Sequence, residues 1–146
     1  MTSDIRRLLE DRKLVKFHAS RETILKELEG AKYDLESARK SLEAGDHKWA
    51  TVQAYYSMFH AARALLYSRG FREKSHRALL TALMELFVKS RQLDREYVEN
   101  LKNAMDLREE ADYGMVFSEA GAREVAEKAQ NFIDRVETIL RDLRDC

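Results

Sequence analysis

Proline is absent from all 146 residues of this chain, and only five glycines occur in it. Proline breaks the interior of a helix and glycine weakens it, so a chain with so few of either can sustain long uninterrupted helices. The strong helix formers alanine, leucine, glutamate, lysine and arginine dominate the rest. We therefore predict an all-α protein without strands. The length suits one hydrophobic core, and hence a single domain over residues 1–146.

Apolar residues recur at three- and four-residue steps and predict six helices. Their expected ranges are residues 3–17, 21–43, 48–69, 75–90, 94–112 and 118–143. Three of the breaks between them are marked by glycines, namely Gly45, Gly70 and Gly114. Three residues are suited to cap the helices that follow them, namely Ser75, Asp94 and Ser118. The third helix is apolar around most of its circumference, which is typical of a central helix.

Short loops make consecutive helices run antiparallel. We therefore predict an up-and-down antiparallel bundle of four core helices, with one or two shorter or flanking helices and a core at about residues 20–143. If the third helix runs upward to Gly70, tight reversals bring the residues of one candidate site to that same end. These residues are His76, Arg108, Asp112 and Tyr113. His60 is then expected about 15 Å below that end, at 1.5 Å per residue.

Composition excludes several classes of protein. The chain has 26 basic and 26 acidic residues, so its bulk charge does not indicate a nucleic-acid binder. No apolar run approaches the roughly 20 residues that span a bilayer, and the N-terminus has no apolar signal-peptide core. Cys146 is the single cysteine and has no partner for an internal disulfide. We expect a cytoplasmic protein that does not enter a membrane.

Charge is nevertheless segregated along the chain. Residues 63–77 carry five cations against one anion, a net charge of +4, and residues 94–112 carry three cations against seven anions, a net charge of −4. Such segregation can steer an anionic ligand to one end of a molecule. Two solvated helix faces explain it equally well.

His76 is the first candidate site residue. It follows the expected cap Ser75, in the first turn of a helix, where backbone N–H groups favour an anion. With Arg72, Lys74 and Arg77 close in sequence, we predict a site for phosphate here. The imidazole could donate to a phosphate or transfer a proton near neutral pH. The alternative is an exposed residue or one that packs on Tyr113.

Arg108 lies four residues before Asp112, a spacing at which helix side chains meet. Their ion pair either orients the guanidinium for a ligand or fixes the end of the fifth helix. His60, on the most apolar helix, is expected to be a hydrogen-bonded core histidine. A single Glu-x-x-His spacing at Glu73 and His76 is too little for a di-iron site, which needs two such motifs and two more glutamates. No metal or cofactor is predicted.

Three segments resemble a known family when they are taken in this order: AYYSMFHAARALLYSRGF, KSHRALL and LREEADYG. They resemble the HEPN domain (higher eukaryotes and prokaryotes nucleotide-binding), and most of all its short stand-alone prokaryotic subfamily, over about residues 20–140. The resemblance implies an up-and-down bundle that is commonly a homodimer and binds nucleotide or RNA. It also implies that the chain could be the toxin of a toxin–antitoxin pair with a minimal nucleotidyltransferase as the antitoxin.

Many HEPN proteins are metal-independent ribonucleases with an arginine, four to six further residues and then a histidine, and two copies form the site. Arg108 matches that arginine, but Tyr113 stands where the histidine is expected, and no histidine follows His76. Proton transfer at the 2′-hydroxyl then has no obvious agent at that position. Either His76 supplies the imidazole from the adjoining helix, or the chain binds without cutting.

Three hypotheses follow. The leading one is a binding module for a nucleotide, RNA or a nucleotidyltransferase-like partner, in which Tyr113 stacks on a base. Its expected site residues are Arg72, Lys74, His76, Arg77, Arg108, Asp112 and Tyr113. The second is a metal-independent endoribonuclease toxin, with His76 as acid or base and Arg108 stabilising the phosphorane. The third is a non-catalytic dimerisation or adaptor domain whose apolar third helix meets a partner.

Overall fold

Six α-helices account for most of residues 3–144, the part of the chain that the computed structural model describes. In chain order the elements are α1 (Ser3–Glu10), β1 (Leu14–Lys16), α2 (Arg21–Glu43), α3 (His47–Ser68), β2 (Phe71–Glu73), α4 (His76–Leu83), a π-helix (Met84–Val88), α5 (Arg95–Tyr113) and α6 (Glu119–Arg144). The all-α class is therefore confirmed. Cys146 lies outside the described residues.

The four long helices α2, α3, α5 and α6 form an up-and-down bundle. The pairs Lys32–Glu137 (3.1 Å) and Arg39–Gln130 (2.6 Å) show that α2 and α6 run antiparallel. Arg135 on α6 also donates to the backbone carbonyl of Gln92 at 2.7 Å, and Gln92 lies just before the start of α5. Because α3 follows α2 in a hairpin, α3 and α6 run in the same direction, and the two helices pack directly against each other.

The central position predicted for the third helix is confirmed. Both aromatic and aliphatic side chains of α3 are fully buried, for example Tyr55, Met58, Leu65 and Leu66. Small alanines along the same helix let α2 and α6 approach it closely. Burial of this apolar surface is the main force that holds the bundle together.

Two short strands contradict the expectation of a chain without strands. β1 pairs antiparallel with β2, and the register places Val15 opposite Arg72. The predicted first helix, residues 3–17, is therefore wrong in its second half. The helix stops at Glu10, and Arg12 takes a left-handed φ of 56° that turns the chain into β1.

The β2 strand also changes the direction of α4. Gly70, with φ of 84°, reverses the chain at the end of α3, and β2 then runs back along that helix. As a result, the ring of His76 at the start of α4 lies 4.8 Å from the ring of Phe59, in the middle of α3. The chain then climbs again, so that Arg69 lies 5.5 Å from the ring of Phe87. The expected antiparallel packing of the third and fourth helices is wrong, because they run parallel.

Several predicted helix boundaries can be compared directly with the structure. The bounds of α2 agree with the prediction, and Ser75 and Ser118 cap their helices by accepting from the backbone N–H of Ala78 and Gly121, each at 3.0 Å. Asp94 stands at the cap position of α5 without a side-chain cap hydrogen bond. The expected fourth helix, residues 75–90, is an α-helix only to Leu83 and then widens into the π-helix. Within residues 3–144, no helix has the length and apolar character needed to cross a membrane.

Candidate functional site

A cluster of aromatic rings on α3 forms the base of the candidate site. The ring of Tyr55 lies 5.1 Å from that of Tyr56 and 6.2 Å from that of Phe59. Tyr56 and Phe59 are also in edge contact at 6.2 Å. Such pairs give stability beyond the area they bury and hold the rings in fixed positions. We call these three residues the aromatic cluster.

His76 is held against the aromatic cluster from α4. Its Nδ1 lies 2.7 Å from the hydroxyl of Tyr55, a tyrosine that is fully buried. Burial, and secondly the positive charge of Arg108, lower the pKa of His76 below its usual value. Burial also raises the pKa of Tyr55, so its hydroxyl keeps its proton. A neutral imidazole can accept this hydrogen bond at Nδ1, which leaves Nε2 as a donor.

Arg108 approaches the same cluster from α5. Its Nη2 donates to the hydroxyl of Tyr56 at 2.8 Å and lies 3.4 Å from the carboxylate of Asp112. The guanidinium carbon lies 5.3 Å from the ring of Tyr56 and 5.5 Å from that of Tyr113. Only 14% of the Arg108 side chain is exposed, and its buried Nε has no hydrogen-bond acceptor among the described residues. Tyr113, by contrast, is 76% exposed.

The structure thus brings His76 and Arg108 to one place, but not to the place expected. They meet at the aromatic cluster in the middle of α3, through two neighbouring tyrosines, and not at the end marked by Gly70. His60 is also not 15 Å away from this site, because its ring is in contact with Phe59 at 5.8 Å. The predicted roles of these residues in binding or catalysis stay predictions.

The three cations expected to hold phosphate lie within four residues of His76 along the chain. Arg72, Lys74 and Arg77 are all exposed. The guanidinium of Arg72 lies 5.7 Å from the ring of Phe17, which itself packs on Tyr67 at 4.8 Å. The site therefore consists of a half-buried imidazole and guanidinium, flanked by cations that are free to meet solvent.

A polar cluster lies next to the aromatic cluster, along the seam between α2 and α3. Nδ1 of His60 is 2.7 Å from Glu27, and Nε2 is 3.5 Å from Asp34. Burial raises the pKa of Asp34, and the neighbouring His60 acts in the opposite direction. His60 is hydrogen-bonded as expected, but 30% of its side chain is exposed, so it is a residue of the seam and not of the core.

Glu73 and Arg63 connect the two clusters. Arg63 donates to the two carboxylate oxygens of Glu73 at 3.0 and 2.9 Å, and its guanidinium lies 4.5 Å from the ring of Phe59. Only 4% of the Glu73 side chain is exposed. Glu73 therefore neutralises Arg63. Within residues 3–144, no group of three or more His, Cys, Asp or Glu side chains is arranged to hold a metal ion.

The residues that sequence reasoning missed are the ones that position the site. Neither Tyr55 nor Tyr56 was among the predicted site residues, yet each hydroxyl holds one of the candidate functional side chains. One signal was present: a buried tyrosine hydroxyl on an apolar helix needs a hydrogen-bond partner. The identity of that partner was not accessible, because it depends on how α4 and α5 pack on α3.

The fold and this site define a small helical-bundle domain with a guanidinium and an imidazole on one aromatic base. The family model described as "HEPN domain" matches residues 24–144. The chain therefore belongs to the HEPN family, as the resemblance predicted.

Several relatives are similar to this chain. Two proteins of Methanocaldococcus jannaschii named as putative toxins are 35% identical over 54% of the chain and 28% identical over 84% of it. The two matches cover 58% and 92% of those proteins, respectively. A UPF0332 protein of Archaeoglobus fulgidus is 37% identical over 56% of the chain and 64% of its own length.

The chain thus spans less than two thirds of the first M. jannaschii protein and of the A. fulgidus protein. Among solved structures, TT1696 from Thermus thermophilus superposes with a TM-score of 0.68 over 80% of this chain and 97% of that one. At 23% identity, this likeness shows the fold alone.

Proposed function

We propose that this chain is a toxin-type HEPN module that binds single-stranded RNA at the surface around Arg108 and His76. The observation that carries the proposal is the state of Arg108. Its guanidinium contacts the rings of both Tyr56 and Tyr113, and it keeps a buried Nε–H without an acceptor among the described residues. Because 14% of the side chain stays exposed, the guanidinium so held can donate an N–H at its exposed edge to a phosphate oxygen.

Tyr113 supplies the second element of recognition. It lies on the outer side of the Arg108 guanidinium and is 76% exposed, so a nucleobase can stack on its free face. Asp112, whose carboxylate lies 3.4 Å from Nη2 of Arg108, helps to orient the guanidinium. Arg108 and Tyr113 therefore offer a phosphate contact and a base contact next to each other.

The neighbouring cations favour an RNA strand over a single nucleotide. Arg72, Lys74 and Arg77 are exposed on both sides of His76 along the chain. These three cations, added to Arg108, exceed what one phosphate group needs. Binding of a strand by several such contacts should weaken steeply as salt rises.

Fluorescence anisotropy with a labelled single-stranded RNA tests this proposal. Arg108→Ala should weaken binding about tenfold or more, because a lost base-stacking or charged contact costs about 1–3 kcal/mol. Lys102→Ala is the matched control: it removes one cation from the same helix, where Lys102 is exposed and pairs only at the surface with Asp106. Equal affinities of the two variants would overturn the assignment of the site.

A second candidate function, cleavage of RNA without a metal, is favoured by the state of His76. Its lowered pKa keeps the imidazole neutral near pH 7. In the other tautomer, Nδ1–H donates to the Tyr55 hydroxyl, and the free Nε2 would take a proton from a 2′-hydroxyl and then give it to the departing 5′-oxygen. Arg108 would stabilise the negative charge on the oxygens of the pentavalent phosphorane. RNA cleavage should then persist in EDTA, disappear in His76→Ala and remain in His18→Ala, which changes an exposed histidine. Intact RNA under these conditions rules cleavage out.

The adaptor hypothesis is favoured by a different surface from the expected one. The apolar side chains of α3 are mostly buried in the bundle, whereas a segment after α5 exposes Met115 (62%), Val116 (62%) and Phe117 (44%). A homodimer, or a complex with a nucleotidyltransferase-like antitoxin, would bury such a patch. Light scattering on Val116→Ser with Phe117→Ser tests the dimer, with Tyr33→Ser as the control for an exposed aromatic residue elsewhere.

A further inference from the structure

β1 and β2 form a two-stranded ribbon. Only β2 contributes to the candidate site described above. β2 carries Arg72, and β1 is paired with it by the register Leu14↔Glu73, Val15↔Arg72 and Lys16↔Phe71. β1 lies before residue 24, where the match to the family model begins. The ribbon therefore joins a segment outside the family match to a strand inside it.

Every exposed charge on the ribbon and its continuation is positive. Residues 13–18 and 69–77 contain six lysines and arginines and one acidic residue. That acidic residue is Glu73, which is buried and neutralised by Arg63. Of the six cations, Arg69 turns away to donate to the carbonyl of Leu86. Five exposed cations remain, namely Lys13, Lys16, Arg72, Lys74 and Arg77.

Two of these cations oppose each other across the ribbon. Lys13 and Lys74 continue the ladder one step beyond Leu14 and Glu73, and the backbone N–H of Lys74 donates to the carbonyl of Lys13 at 2.8 Å. Like charges directly opposite each other destabilise a pair of strands. Arg72 lies two residues from Lys74 and so projects on the same side of the ribbon. An anion bound over these three side chains would relieve their repulsion.

We propose that this ribbon binds the phosphate backbone of RNA, with β1 adding contacts beyond those of the Arg108 site. The inference rests on the proposed function, since the same strand would occupy both places. Lys74 and Arg77 lie on either side of Ser75 and His76, so the ribbon and the Arg108 site are continuous along the chain. A strand longer than a few nucleotides covers both.

The surroundings of Arg72 favour RNA over an acidic polypeptide. The Arg72 guanidinium lies 5.7 Å from the ring of Phe17, and that ring lies 4.8 Å from the ring of Tyr67. Aromatic rings beside backbone-binding cations are the arrangement that single-stranded nucleic acid uses, because bases stack where phosphates are neutralised. An acidic polypeptide needs the cations but not the rings.

The test compares two variants that lose the same charge. Lys13→Gln with Lys16→Gln removes two cations from the N-terminal side of the ribbon, and Lys40→Gln with Lys102→Gln removes two exposed cations from α2 and α5. RNA affinity is measured by anisotropy over a series of salt concentrations. Lys13 lies on the face of Lys74 and Arg72, and Lys16 lies on the opposite face. The variant should therefore lose one phosphate contact on that face and lower the slope of log affinity against log salt by about 0.7, the value for one contact on a single strand. The control should keep the wild-type slope.

A stability measurement separates binding from a structural role. Lys13→Gln removes the repulsion with Lys74, so its urea midpoint without RNA should rise or stay equal while its RNA affinity falls. A variant that lost affinity because the ribbon had come apart would instead unfold at lower urea. That result would overturn the inference.

The remaining outcomes distinguish this inference from the proposed function. If Arg108→Ala weakens RNA binding and the Lys13/Lys16 variant behaves as its control, the inference fails and the proposed function stands. If only the Lys13/Lys16 variant loses affinity, the ribbon binds RNA and the Arg108 site is wrong. Polyglutamate at equal charge concentration is the last arm: displacement of RNA by it would show that the ribbon recognises an acidic chain, which overturns the assignment to RNA.

Discussion

Arg108 and Tyr56 are joined by a hydrogen bond of 2.8 Å between the guanidinium and the phenol oxygen, although 52 residues separate them. The neighbouring residue on α3, Tyr55, binds His76 at 2.7 Å. Two adjacent tyrosines on one buried helix thus position side chains from α5 and α4. Because α3 is the most buried helix, its rings are fixed by packing, and this fixes the geometry of the candidate site.

Tyr56→Phe should separate the contribution of the Tyr56 hydroxyl from that of its ring. The ring contact with Arg108 is kept, but the guanidinium loses one acceptor at 2.8 Å. We expect the free energy of unfolding to fall by about 1 kcal/mol and RNA affinity to fall several-fold, because Arg108 is less well oriented. Urea denaturation and anisotropy measure the two effects. Tyr33→Phe, at a tyrosine that is 73% exposed, should change neither quantity.

The stability of the protein should depend on the protonation of His76. Its pKa is lowered in the folded state, mainly by burial and next by Arg108, whereas the unfolded chain keeps the ordinary value near 6.5. Between those two values the unfolded state binds more protons, so the free energy of unfolding rises with pH there. The contribution of His76 is therefore present above pH 6.5 and is lost as pH falls toward the folded pKa.

His76→Gln should remove that part of the pH dependence. Urea unfolding at several pH values from neutral down to mildly acidic should show a shallower fall for the variant than for the wild type. His18→Gln, at an exposed histidine, should follow the wild-type curve. Parallel curves for the wild type and His76→Gln would mean that His76 has the same pKa folded and unfolded.

Glu73→Gln should be one of the more destabilising single changes in the chain. The glutamate side chain is only 4% exposed and accepts two hydrogen bonds from Arg63, which would be left without its charged partner. We expect a loss of about 2 kcal/mol in the free energy of unfolding, moderated by Glu27 at 3.8 Å from Arg63. Glu36→Gln on the exposed surface of α2 is the control, and a similar loss there would contradict this reasoning.

The sequence predicted the helices best where glycine or a capping side chain marks their ends. Gly45 and Gly70 take φ values of 77° and 84°, and Ser75 caps α4 as expected. Prediction failed where an ordinary residue takes the conformation that glycine favours. Arg12 adopts a φ of 56°, so nothing in its residue type indicated that the first helix ends just before it.

The ribbon was missed for a related reason. β1 and β2 are three residues each and pair across more than fifty positions of sequence, so neither has enough length for an alternating pattern to be read. Without β2, a simple reversal at Gly70 predicts the wrong direction for α4. His76 and Arg108 still meet, because each is held by a tyrosine of α3 and not by the end of the bundle.

Replacing Gly70 or Gly30 with alanine should change the free energy of unfolding in opposite directions. Gly70 has φ of 84° and no atom within 4 Å of an added Cβ, so Gly70→Ala introduces backbone strain and no clash. We expect a loss of about 1 kcal/mol. Gly30 lies inside α2, where an added Cβ meets the His60 ring at 3.8–4.0 Å, an ordinary contact. Gly30→Ala should therefore stabilise the protein by about 0.5–1 kcal/mol.

The double variant makes this comparison quantitative. An added Cβ at Gly30 meets only the His60 ring and one at Gly70 meets nothing, so their effects on the free energy of unfolding should add. The double variant should then lie close to the wild type in urea denaturation. RNA affinity gives an independent reading, since the reversal at Gly70 directs β2 and with it His76: Gly70→Ala should weaken RNA binding and Gly30→Ala should not. Stabilisation by Gly70→Ala would show that the turn is not held in the left-handed conformation on which the path to His76 depends.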